Sequence, residues 1–333
     1  MKVIIPLAGF GSRMRPHTWS RAKPLLNVAG KTVIGHLLDQ MTAVTTEAVI
    51  FVVGYKGNEI EAWIRDHYPH LDTHFVLQPE PLGQAHALWL CRDFMVSDVL
   101  VAFGDGIVKA NYQDIPDDNM DVVMLVQEME DPRRFGVVVV DEQGIVQQLI
   151  EKPDTMEHKS AAAGVHWFRD GRRLAQALDT VITEGRKTKG EFYLADAYQV
   201  LLEQGAKVGT KPTIFWLDAG NPENILATNA RLLGLGYGTP DAIERSYAGD
   251  FTVIPPVFLH ETAVIERSVI GPYASIEAQA VIKDSIIRNS QIDAGAQIEN
   301  CILDAALVGE RTHIKGQSLK LFVGDDANIE LIR

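Results

Sequence analysis

Residues 6–25 read PLAGFGSRMRPHTWSRAKPL, and their reading decides what kind of fold the chain needs. An apolar run at residues 3–5 enters a glycine-rich turn, which is followed at once by Arg13 and then by Lys23. Gly9 and Gly11 can take backbone conformations closed to other residues and let the chain close on a ligand. Successive backbone N–H groups across Leu7, Ala8, Gly9, Gly11 and Ser12 would cradle an anion. Arg13 adds a planar fork of donors and Lys23 a point charge, both suited to phosphate oxygens. A strand that ends in such a turn belongs to an open α/β sheet, whose ligands sit beyond the carboxyl ends of its strands.

Two familiar phosphate loops are excluded. The dinucleotide pattern G-x-G-x-x-G fails at Met14, and the pattern G-x-x-x-x-G-K-[ST] fails at Leu25, the position of its first glycine. Those glycines answer steric demands, so one substitution is enough to reject each pattern.

The remaining chain fits an open α/β sheet. Strand-length apolar runs lie at 3–5, 48–53, 99–103, 122–126 and 137–140, with helical periodicity at 33–41, 60–66 and 84–94. That alternation predicts a mostly parallel sheet with helices on both faces. Further helices are expected at 171–184, 194–203 and 222–233, the last with Asn221 as N-cap and Pro222 at its first position. Residues 234–252 are rich in glycine and polar side chains, which places a linker at 236–252 between a domain at 1–235 and another at 253–333.

In the last segment Ile270, Ile276 and Ile282 are spaced by six, as are Ile286, Ile292, Ile298 and then Ile302, Val308, Ile314. Such self-similarity marks a solenoid, with the aliphatic residues expected to point inward. It resembles the hexapeptide repeat of left-handed parallel β-helices, with one side of each coil shortened.

The chain has 333 residues and a net charge of −13. An acidic chain is a poor nucleic-acid binder, so its positive charge must be concentrated locally, as at Arg13 and Lys23. Two cysteines, Cys91 and Cys301, imply no disulfide framework and fit a reducing cytoplasm. Neither a signal peptide nor a membrane span is expected.

Asp105 follows a buried run in Phe103-Gly104-Asp105-Gly106, a placement that suits a Mg²⁺ ligand shared with substrate phosphates. The Gln78 amide, in Gln78-Pro79-Glu80-Pro81-Leu82-Gly83, offers the donor and acceptor that a pyrimidine edge requires. Glu151-Lys152-Pro153 ends another strand-like run, and alternation along a strand would put the acid and the base on opposite faces. His67, His70 and His74 lack metal-binding spacing and read as a solvated loop.

The pattern G-x-G-[ST]-R-x-x-P-x-T-x-x-x-x-K-P-L resembles the signature of the sugar-1-phosphate nucleotidyltransferases, and most closely that of long glucose-1-phosphate thymidylyltransferases with a C-terminal hexapeptide β-helix. The resemblance implies Mg²⁺-dependent transfer of a nucleotidyl group from an NTP, dTTP above all, to a sugar 1-phosphate, glucose 1-phosphate above all. It implies that Arg13, Lys23, Lys152 and Asp105 are catalytic. It places the nucleotide against Leu7, Ala8, Gly9, Gly11, Ser12, Arg13, Gln78, Gly83 and Asp105. It places the sugar against Gly136, Glu151, Lys152, Ala162, Glu191 and Trp216, and the metal at Asp105 and at Asp218 of Trp216-Leu217-Asp218-Ala219-Gly220. His166 stands where a tyrosine is usual, and Ala195 where a threonine is.

UTP- or GTP-dependent transfer, a second acyltransferase activity in the β-helix, and a non-catalytic regulatory homologue are the alternatives. The expected partners are small-molecule substrates and further copies of the chain in a homo-oligomer, with neither nucleic acid nor membrane among them.

Overall fold

The computed structural model describes residues 1–41, 44, 46–316 and 322–330. The chain forms two compact units, Met1–Gly9 with Leu37–Trp216, and Phe10–His36 with Leu217–Arg333.

Among the described residues of the first unit, nine strands form one sheet. They are β1 (Lys2–Pro6), β2 (Ala48–Val53), β3 (Thr73–Leu77), β4 (Val99–Ala102), β5 (Val122–Glu128), β6 (Gly136–Val140), β7 (Val146–Glu151), β8 (Ser160–Phe168) and β9 (Val208–Pro212). The order is β7-β6-β8-β4-β1-β2-β3, with β5 on β8 and β9 on β5. The half β4-β1-β2-β3 is parallel, as its apolar runs require. β8 runs antiparallel to β4, β5 and β6, and β7 antiparallel to β6, so the sheet is mixed where a mostly parallel one was expected.

Ser160–Phe168 escaped the sequence reading because its polar and small residues break the apolar run that signals a buried strand. Alternate residues of the parallel strands point to opposite faces. Ile4, Ile50, Val52 and Val101 join Leu88, Leu174, Leu178 and Tyr198 of the helices Gln84–Trp89, Gly171–Thr183 and Leu194–Glu203 in one core. Val3, Ile5, Val49 and Phe51 are buried on the other face, as are Ile60 and Ile64 of helix Gly57–His67.

The second unit contains the segment after the glycine turn, helix Pro222–Leu232 and a left-handed parallel β-helix. Asn221 caps the helix by accepting from the Asn224 N–H at 2.8 Å, with Pro222 in the first turn, as its sequence requires. The span expected as a linker carries helix Ala242–Ala248, which buries Ala242 and Ser246. The first β-helix strand, Phe251–Val253, already pairs in register with Ser268–Ile270.

Successive coils advance by seventeen, sixteen, sixteen and fifteen residues along Val264, Val281, Gln297, His313 and Asn328. The column inside the coil is Ile270, Ile276, Ile282, Ile287, Ile292, Ile298, Leu303, Val308 and Ile314, each at most 1% exposed. This corrects the even spacing of six. Ile286 and Ile302 face outward, 38% and 42% exposed, and their neighbours Ile287 and Leu303 turn inward instead. Asp284 and Asn289 turn tight corners at φ 49° and 47°, which removes a residue from each adjoining side.

Candidate active site

In the second unit Gly11 has φ 61°, and a side chain there would meet the Lys23 Cβ at 3.0 Å and the Thr18 Cγ2 at 3.1 Å. The Thr18 Oγ1 donates to the Gly11 carbonyl at 2.9 Å. The fold therefore folds the glycine turn back onto the Lys23 segment, and only a residue without a Cβ fits the crossing. Ser12 and Arg13 are exposed on the single turn Ser12–Met14, which is anchored by the fully buried Met14. Asp218 is half-buried, and its Oδ2 accepts from the Asn224 Nδ2 at 2.5 Å. A side chain at Gly220 would lie 2.8 Å from the Asp218 Oδ1, so glycine keeps that oxygen open. An open oxygen on a carboxylate oriented through its other oxygen fits Mg²⁺, which needs one or two protein carboxylates and takes its remaining ligands from water and phosphate.

In the first unit Leu7 is buried and its N–H donates to the Val52 carbonyl at 2.7 Å, followed by half-buried Ala8 and exposed Gly9. Asp105 is exposed in the turn after β4, and Gly104 beside it leaves room for Leu7, whose Cδ2 would lie 2.1 Å from a side chain there. Gln78 is buried, with its Nε2 3.2 Å from the Gly83 carbonyl and 3.0 Å from the His86 Nδ1. Burial lowers the His86 pKa against the opposing charge of Glu80, so the ring stays neutral and can accept from the amide. Gly83 has φ 113° and lies against the backbone of Phe192, whose oxygen a Cβ would meet at 2.5 Å. Its conformational freedom is spent on that close approach.

Glu151 and Lys152 do not occupy opposite faces. β7 ends at Glu151, and Lys152 takes φ 48°, which swings its side chain back so that Nζ lies 3.5 Å from the Glu151 Oε1. The Lys152 Nζ donates to the Tyr193 hydroxyl at 2.8 Å. Burial pulls its pKa down, but the Tyr193 hydroxyl and Glu151 outweigh it and the net direction is up. Burial raises the Glu151 pKa, opposed by Lys152 and Lys189. Gly136 faces Glu151 across the β6–β7 pair, and a side chain there would meet the Glu151 Oε2 at 3.2 Å.

The Trp216 N–H donates to the Gln127 Oε1 at 2.6 Å, and its ring meets Phe135 edge-on at 4.6 Å. Ala162 is half-buried on β8, where the register slips between Ala162 and His166, and Glu191 is exposed. His166 is a core residue, bonded to the Tyr198 hydroxyl at 3.0 Å, with its pKa lowered by burial to about 3.

Four residues absent from the sequence reading organise these positions: Tyr193 and Lys189 at Lys152, Gln127 at Trp216, and Asn224 at Asp218. The Lys189 Nζ donates to the Lys152 carbonyl at 3.0 Å. Tyr193 lies two residues after Glu191, so its sequence proximity was a usable signal. Gln127 carries none, because its role depends on which strand lies beside Trp216.

The loop expected at His67, His70 and His74 is only partly one: His67 ends helix Gly57–His67 and His74 lies in β3. The His67 Nδ1 meets the Trp63 carbonyl at 2.9 Å, and among the described residues no group of three metal-binding side chains occurs. No described helix is long and apolar enough to cross a membrane.

Residues 2–234 match the family described as nucleotidyl transferase. A glucose-1-phosphate thymidylyltransferase of Streptomyces griseus is 28% identical, over 99% of this chain and 99% of its own length. The UTP–glucose-1-phosphate uridylyltransferase AglF of Haloferax volcanii is 30% identical, over 67% of this chain and 93% of its own length. A crystal structure of a Bacillus anthracis protein assigned as a glucose-1-phosphate thymidylyltransferase, in complex with sucrose, shares the fold at TM-score 0.60. It covers 69% of this chain and 94% of its own, at 24% identity. With its glycine turn, its strand-end Glu151-Lys152 pair and this match over most of its length, the chain belongs to the sugar-1-phosphate nucleotidyltransferase family.

Proposed function

We propose that the protein joins dTTP to glucose 1-phosphate, releasing pyrophosphate and leaving dTDP-glucose. A phosphate oxygen of the sugar phosphate attacks the α-phosphorus, and the bond to the pyrophosphate oxygen breaks. The nucleophile is already an anion, so the work is to bring two anions together and to stabilise charge in an in-line displacement. Lys152 carries this reading: its ammonium, held by the Tyr193 hydroxyl and raised in pKa, stays charged at neutral pH and suits the sugar phosphate. Glu151, kept short of solvent beside Gly136, suits a sugar hydroxyl. Ala162, Glu191 and Trp216 complete the sugar side. Arg13 and the turn Leu7, Ala8, Gly9, Gly11 and Ser12 hold the triphosphate, and Lys23 neutralises the α-phosphate. Asp105 and Asp218 would hold Mg²⁺, which supplies charge neutralisation at the phosphate oxygens when bound.

Gln78 and Gly83 take the base. The Gln78 Nε2 is engaged by the Gly83 carbonyl and His86, so its carbonyl oxygen is the group offered to a pyrimidine. Thymine and uracil both present an N3–H donor to such an acceptor, and cytosine does not. UTP is the second reading, because one methyl in an apolar pocket is worth only about 1–3 kcal/mol and AglF is named for UTP. We further propose a catalytic domain at 1–235, a connecting span at 236–252 and a β-helix from 253 that assembles subunits, in a cytoplasmic protein.

The test follows nucleotide-sugar formation by mass spectrometry with and without Mg²⁺, for the wild type, Arg13→Ala and Asp105→Asn. Product only with the metal, and a loss of about a hundredfold or more in kcat in each variant, is expected. Undiminished turnover in a variant would remove that residue from the mechanism, and no product with any nucleotide would overturn the reading.

A further inference from the structure

Within the second unit, the segment that carries Lys23 is docked onto one face of the β-helix by polar contacts unrelated to the hexapeptide pattern. Arg21, two residues before Lys23, forms an ion pair with Glu310, and both side chains are largely buried. The Gln291 Nε2 donates to the Asn27 carbonyl at 2.6 Å and reaches the Asp293 Oδ1 at 3.3 Å. The Ala29 N–H donates to the Asn229 Oδ1 at 2.9 Å, which also accepts from the Ser275 Oγ at 2.6 Å. Gly30, at φ 79°, leaves room for the Phe258 ring, which a side chain there would meet at 2.2 Å. Pro16 lies against Gly324.

This seam is acidic and buried. Glu277 and Asp293 occupy equivalent corner positions on successive coils, where each donates its N–H to the coil above, and both are buried. The Glu277 carboxyl reaches Asn27 and Gly30, yet its Oε1 lacks a hydrogen-bond partner. Burial pushes Glu277 up to about 8, with Asp293 adding to the rise and Arg21 opposing it. Burial likewise pushes Asp293 up to about 6, opposed by Arg21 and Gln291 and reinforced by Asp325. Glu310 also pairs with Arg311 on its outer side. Arg21 is thus the cation that faces Glu277, Asp293 and Glu310 together. Removing one partner from such a buried set leaves uncompensated charge rather than a simple loss of contact.

We propose that Arg21 is a positioning residue for nucleotidyl transfer: by seating in the Glu277–Asp293–Glu310 seam of the β-helix it fixes the segment that presents Lys23 to the phosphates. The β-helix is then part of the catalytic device as well as an assembly element. The inference rests on the assignment of Lys23 to the α-phosphate.

The test measures kcat and KM against pH for the full chain as wild type, Arg21→Lys, Arg21→Met, Glu310→Gln and Lys23→Ala, with Tm recorded for each. Without the guanidinium, Glu277 and Asp293 are neutral at low pH and repel each other as anions at high pH. Arg21 opposes both rises, so its loss moves both carboxyls higher still, and the wild-type-to-Arg21→Met ratio of kcat should widen as pH rises above about 6. It should reach about tenfold or more, with partial recovery in Arg21→Lys and a smaller loss in Glu310→Gln. Equal turnover of Arg21→Met and wild type at every pH overturns the inference. So does a pH-independent loss that Arg21→Lys fails to recover, because that is the mark of a merely destabilised fold. Full activity in Lys23→Ala would instead overturn the phosphate assignment itself, and this inference with it.

Discussion

At Lys152 a backbone conformation decides the chemistry. A lysine one residue further along an ideal strand would point away from Glu151, but φ 48° brings the two together. The Tyr193 hydroxyl then completes the site, at a cost in local strain that a non-glycine residue pays in the left-handed region. Tyr193→Phe removes one hydrogen bond to a charged group that is partly exposed. An increase of about three- to tenfold in KM for the sugar phosphate is expected, with kcat less affected. Initial rates against sugar phosphate concentration check it, and an unchanged KM would show that Lys152 does not need this partner. The E-K-P triplet was legible in the sequence, and so was its place at a strand end. The side-by-side geometry was not, because a positive φ at a lysine leaves no trace in residue type.

At the scale of elements, the β-helix repeat was legible and its phase was not. Isoleucine occurs on both the inner and outer sides of the same strand at Ile286-Ile287, so residue type alone could not say which points inward. Burial separates them, and two substitutions measure the difference. Ile287→Ala should cost about 2–5 kcal/mol, as a large-to-small change in a packed interior does. Ile286→Ala should cost under about 1 kcal/mol, as most exposed changes do. Denaturant unfolding of both variants decides it, and equal losses would contradict the register.

The acidic seam adds a pH signature to the same element. The folded pKa values of Glu277 and Asp293 are raised, so the native state binds more protons than the unfolded chain there. Stability from these groups is present below about pH 4, the ordinary carboxylate range, and is lost as pH rises through about 6 and about 8. Glu277→Gln mimics the protonated form. Its Tm should exceed that of the wild type at pH 8 and match it at or below about pH 4. A Tm difference independent of pH would show that Glu277 does not titrate in this range.

For the whole molecule, the parallel half of the sheet, most helices and the repeat followed from periodicity, because apolar runs and hexads report burial directly. The antiparallel strand Ser160–Phe168 and helix Ala242–Ala248 did not, since their small and polar residues carry no strong period. The glycine turn marked the site, and the contacts that hold Lys23 and Trp216 in place come from residues distant in sequence, Glu310 through Arg21 and Gln127. The central claim is nucleotidyl transfer to a sugar 1-phosphate, and pyrophosphate release tests it most directly. The assay crosses dTTP, UTP, GTP, CTP and ATP with glucose, mannose, galactose and N-acetylglucosamine 1-phosphates in the presence of Mg²⁺. The expected result is fastest release with dTTP and glucose 1-phosphate, followed by UTP with the same sugar. Release confined to a purine nucleotide would contradict the Gln78 assignment, and no release from any pair would contradict the central claim.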